Sequence, residues 1–97
     1  MGTFTVRVEL HGASGDDYTR LHSEMAKSGY RIYVSGGDGH SYALPTAEYD
    51  LTSVQNDQFV IMKEALAIAT RVRPRPEPWV LVTKAEGQRA ISSARLK

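Results

Sequence analysis

Thr3-Phe4-Thr5-Val6-Arg7-Val8-Glu9-Leu10-His11 is the stretch on which the fold turns. Its apolar residues Phe4, Val6, Val8 and Leu10 occupy every second position, with Thr5, Arg7, Glu9 and His11 between them. A period of two belongs to a strand with one face in the core and the other in water. The glycines at 12 and 15 end it.

The next segments supply what that strand packs against. Ser14 with Asp17 three residues later is an Asp version of the capping box, and Asp16 and Asp17 suit the positive end of a helix dipole. Tyr18, Leu21 and Met25 form the apolar stripe of that helix, and Lys27 and Gly29 stop it. Residues 30–35 read as a second strand, Ile32 and Val34 inward, Arg31 and Tyr33 outward. Gly36-Gly37-Asp38-Gly39 signals a turn, after which residues 40–44 run extended and Pro45 interrupts. Residues 46–52 alternate again, with Ala47, Tyr49 and Leu51 inward and Thr46, Glu48 and Asp50 outward, and read as the third core strand. Thr52 or Ser53 is the expected cap of a second helix reaching about Val72, its stripe formed by Val54, Ile61, Ala65, Ile68 and Val72. The prolines at 74, 76 and 78 exclude helix, and residues 79–85 form the fourth strand. Its alternate positions are apolar on both sides, so Trp79 has no assigned face.

This order predicts an α+β fold, a ferredoxin-like β-α-β-β-α-β sandwich. Its four-stranded antiparallel sheet carries two helices on one face and leaves the other open. Residues 1–85 form the single domain, and residues 86–97 a polar tail, frayed or disordered.

Composition narrows the function classes. A chain of 97 residues holds one domain and no large cofactor module. Cysteine is absent, which removes disulfides, thiol catalysis and cysteine zinc sites, and points to a reducing cytoplasmic compartment. Arg7 and Glu9 interrupt any leader-like apolar run, and no stretch approaches the length of a membrane span. No cofactor, metal or membrane partner is implied. Charge is uneven: residues 1–70 carry five basic and nine acidic side chains, residues 71–97 seven basic and two acidic. Such asymmetry fits an anionic partner or a solvated basic end.

The open face has three readings. Arg7, Arg31 and Tyr33, with Arg71, Arg73 and Arg75 beyond them, are the residue types that stack bases and hold phosphates of single-stranded RNA. Arg7 paired across strands with Glu48 or Asp50 is the plain structural alternative, as is capping of the second helix by Arg71 and Arg73. Glu9, His11, Glu48 and Asp50 make a second, metal or acid–base reading, at spacings that match no metal motif. Self-association of the open face or an edge strand into a homodimer is the third.

The opening Thr-Phe-Thr-Val-Arg-Val-Glu-Leu, the Tyr-x-x-Leu-His-x-x-Met pattern from Tyr18 to Met25 and Leu-Pro-Thr-Ala-Glu-Tyr at 44–49 resemble the GhoS-type antitoxins of type V toxin–antitoxin systems. That resemblance implies a ferredoxin-like fold and a sequence-selective endoribonuclease activity. With the 2′-hydroxyl as nucleophile, His11 becomes the candidate base and Arg7 or Arg31 the candidate phosphate stabiliser.

Overall fold

The alternating stretch becomes the central strand of the main sheet. The computed structural model describes residues 2–35, 39–86 and 95–96. In chain order these form β1 (Gly2–Glu9), α1 (Gly15–Lys27), β2 (Tyr33–Ser35), β3 (Ser41–Ala43), β4 (Glu48–Ser53), α2 (Gln58–Val72), β5 (Trp79–Lys84) and β6 (Arg95–Leu96). The main sheet is antiparallel in the order β4-β1-β5, and β2, β3 and β6 form a second, small sheet.

The period of two sorts β1 as its residue types require. Phe4, Val6, Val8 and Leu10 are buried, while Arg7 and Glu9 are exposed. Register carries this division across the sheet. Phe4 and Val6 lie opposite Leu51 and Tyr49 on one side, and Val6 and Val8 opposite Val82 and Val80 on the other. These side chains pack with Leu21 and Met25 of α1 and with Ile61, Ala65, Ile68, Ala69 and Val72 of α2. Both helices therefore cover one face.

Helix α1 starts as its capping box demands. Ser14 Oγ accepts from the Asp17 amide at 3.3 Å, and Asp17 Oδ2 accepts from the Ser14 amide at 3.1 Å. At its end Gly29 adopts φ +89°, the left-handed geometry that glycine takes without steric cost. Helix α2 begins later than its apolar pattern suggests. Ser53 Oγ accepts from the Gln55 amide, and Gln55 Oε1 accepts from the amides of Asn56 and Asp57. These local bonds turn the chain before a helix can start. Asp57 is the cap, its Oδ1 accepting from the Phe59 amide at 2.8 Å. Val54 thus falls outside the helical stripe and is exposed.

The expected four-stranded sheet is realised in part. Arg31 makes a single bridge to Asp50 on β4, with both backbone bonds formed, at 2.8 and 2.7 Å. The chain then leaves β4 and pairs with β3, placing Tyr33 opposite Ala43. The reason is local. Continuing the bridge would pair Tyr33 with Glu48, but the Glu48 amide is already bonded to the Pro45 carbonyl at 3.0 Å. That bond closes a turn through Thr46 and Ala47, with Ala47 at φ +66°. Ala47 is buried as expected, but in a left-handed turn and not in a strand. Ile32, expected inward, lies at the departure point and is half exposed, and Tyr30 takes the buried place. Residues 36–38 of the expected turn at 36–39, and residues 87–94, lie outside the described residues. Arg95 and Leu96, expected in a frayed or disordered tail, pair with Tyr42 and Ser41. Among the described residues no helix is long and apolar enough to cross a membrane.

Candidate functional site: the open sheet face

The face of β4-β1-β5 away from the helices is built from the odd residues of β1. Thr5 lies between Asp50 and Thr83, Arg7 between Glu48 and Leu81, and Glu9 beside Trp79. The register thereby settles β5: Val80 and Val82 join the core, and Trp79 and Leu81 stand on the open face, 66% and 64% exposed. Sequence reasoning missed this because Trp-Val-Leu-Val is apolar at every position. The only signal is which β5 residues fall opposite Arg7 and Glu9, and that needs the pairing.

Three side chains organise the Trp79 end. The His11 and Trp79 rings meet edge to face, with centroids 4.4 Å apart. His11 Nε2 is buried and makes no hydrogen bond among the described residues. The His11 carbonyl accepts from Arg73 Nε at 3.0 Å, and Arg73 Nη1 pairs with Asp17 Oδ2 at 3.4 Å. Arg73 therefore clamps the β1–α1 connection to the end of α2. On the other side of that connection the Tyr18 hydroxyl donates to the Leu10 carbonyl at 3.2 Å.

At the β4 edge, Arg31 Nη2 bonds Asp50 Oδ2 at 2.6 Å. The guanidinium also lies over the Tyr33 ring, 5.1 Å from its centroid. Asp50 is fully buried although it belongs to the open face. Its carboxylate raises the Arg31 pKa through that hydrogen bond, against the opposing effect of burial. Arg7 and Glu48 face each other in register, with no salt bridge between them among the described residues.

Of the six RNA-contact candidates, Arg7 lies on the open face and Arg31 at its β4 edge, while Tyr33 stands on the separate hairpin beneath the Arg31 guanidinium. Arg71 is exposed on the last turn of α2, Arg75 is exposed in the following connection, and Arg73 is engaged internally. Strand spacing puts Arg7 about 12 Å from Arg31 and about 13 Å from His11. The three residues proposed for catalysis are therefore spread over the face and are not gathered at one point. Among the described residues no group of three His, Asp or Glu side chains is placed to hold a metal ion.

A second polar cluster sits beneath the sheet. His22 Nδ1 and the Tyr49 hydroxyl share a 2.6 Å hydrogen bond, and the Tyr30 hydroxyl donates to Glu64 Oε1 at 2.8 Å. His22 and Tyr30 also line an open groove of about 430 Å³ with Arg31 and Tyr33. Burial lowers the His22 pKa below 6.5. In the unfolded chain the ring takes up its proton near the ordinary value, whereas the folded chain resists until lower pH. The unfolded state thus binds more protons in that window, and stability is lost as pH falls through about 6.5. Urea midpoints at stepped pH should show this loss in the wild type and a shallower one in His22→Gln. Equal slopes would remove His22 from the acid response.

Comparison with known protein families, curated proteins and solved structures gives no match.

Proposed function

We propose that this chain is a variant ferredoxin-like module that contacts single-stranded RNA across its open sheet face, in the manner the antitoxin resemblance implies. The strand order β5-β1-β4, continued by the Arg31 bridge, supports the fold reading, with the second strand peeled off into its own hairpin. The observation that carries the functional reading is Trp79. A large aromatic side chain stands exposed on an open sheet and is braced by a T-shaped contact with His11. Arg7 lies on the next strand of the same face. Braced aromatics stack on any base, and neighbouring guanidiniums hold the phosphates between stacked bases.

The spread of Arg7, Arg31 and His11 suits contacts to successive nucleotides better than a single scissile phosphate. The role of this face is therefore RNA binding. Trp79 is the only tryptophan in the chain, so its fluorescence reports on this surface directly. Titration with a mixed-sequence single-stranded oligoribonucleotide should quench it, less strongly as salt rises. Trp79→Ala, followed by polarisation of a labelled RNA, should weaken binding roughly 5- to 150-fold, the equivalent of about 1–3 kcal/mol for one lost stacking partner. Absence of quenching at low salt, or undiminished RNA affinity in Trp79→Ala, would reject this reading.

A further inference from the structure

We infer that β5 pairs with β5 of a second copy of this chain, antiparallel about a two-fold axis at Leu81, to make one continuous six-stranded sheet. This inference stands apart from the RNA reading and rests on the hydrogen-bonding side of the strand. The Ala85 amide donates to the Thr3 carbonyl at 2.8 Å, and the Val8 amide donates to the Ala47 carbonyl at 2.9 Å. In an antiparallel ladder the bonding side alternates residue by residue. The odd residues of β5 therefore bond to β1, and the backbone groups of Val80, Val82 and Lys84 point outward from the outer strand of the sheet.

Among the described residues no strand covers that edge, and Pro and Lys guard it only at its ends, at Pro78 and Lys84. Residues 79–83 include no charge and no proline, whereas natural edges are usually guarded by one or the other. The opposite edge, on β4, is covered at Asp50 by Arg31. Outward groups on even residues restrict the partner to a register in which even residues face even residues. Placing Leu81 opposite its own copy puts Val80 against Val82 twice on the helix side and Leu81 against Leu81 on the open side. It also sets the Lys84 amide against the Pro78 carbonyl, giving about six backbone bonds. Apolar side chains thus meet apolar ones on both faces. The two Arg7 side chains lie about 14 Å apart across three strand spacings, beyond the screening length at physiological salt. A six-residue edge is about 20 Å long and belongs to the smaller class of interfaces, so the dimer is concentration dependent.

Sedimentation equilibrium on the full chain tests this. The wild-type mass should rise from monomer toward dimer with concentration. Leu81→Glu and Leu81→Lys, each substituting an exposed side chain, should stay monomeric with unchanged circular dichroism. Mixing the two in equal amounts should restore the dimer mass, because opposite charges then face each other at the axis. A wild-type monomer at every concentration, single variants that dimerise like the wild type, or a mixture that stays monomeric would each overturn the inference. Trp79 quenching by RNA in the monomeric variants is a separate result, so failure of one proposal leaves the other standing.

Discussion

Phe4→Ala is expected to lower unfolding stability by about 3–5 kcal/mol, the range for emptying a buried aromatic site. Phe4 is 0% exposed on the central strand, opposite Leu51 on one side and Lys84 on the other. Its surroundings have little slack: a Cβ added at Gly2 would come within 2.9 Å of the ring. A cavity opened here is walled by strands on both sides, so collapse is restricted and the cavity penalty stays. Against a total of about 5–15 kcal/mol for a domain of this size, the loss is a large fraction. Urea unfolding should show a lower midpoint at unchanged slope. A loss below about 1 kcal/mol would mean that the sheet is not packed as described.

Arg31→Ala should be the next most damaging change, about 2–3 kcal/mol, because it removes the cation that pairs with the buried Asp50 carboxylate. The figure lies below the full cost of breaking a buried pair because the Arg31 side chain is 42% exposed and water reaches its place. Arg31 is also where the β2–β3 hairpin is bridged to β4. Amides of the hairpin should therefore exchange faster in the variant, while those of β1 keep their protection. Adding Asp50→Asn to Arg31→Ala removes the buried negative charge as well and should recover part of the loss. The difference between the two single changes and the double one measures the coupling. If the double variant is as unstable as the sum of its parts, the ion pair is not what holds this edge.

The RNA and dimer proposals meet on one strand. Leu81 lies at the proposed two-fold axis, and Trp79 lies two residues away on the same face. Pairing of β5 would lay two open faces side by side, so RNA contacts could extend from one copy to the other. The two predictions remain separable because Trp79 is read by quenching and Leu81 by mass.

What the sequence by itself determined is whatever depends on neighbours along the chain. The alternation of Phe4, Val6, Val8 and Leu10 specified a half-buried strand and its inward face, since side chains alternate in any extended chain. Ser14 and Asp17 specified the start of α1, because both partners of the capping box lie within one turn. Those signals weakened where partners lie far apart. Val54 looked like the first residue of an amphipathic stripe until the local bonds of Gln55 moved the cap to Asp57. Arg31 and Asp50 both sit at outward positions of their segments, and contact with a segment 19 residues away brings the carboxylate into a buried ion pair. Tertiary structure alone decided the face of Trp79 and Leu81: a strand apolar at every position has no preferred side until it pairs, and pairing with Arg7 and Glu9 placed both on the surface.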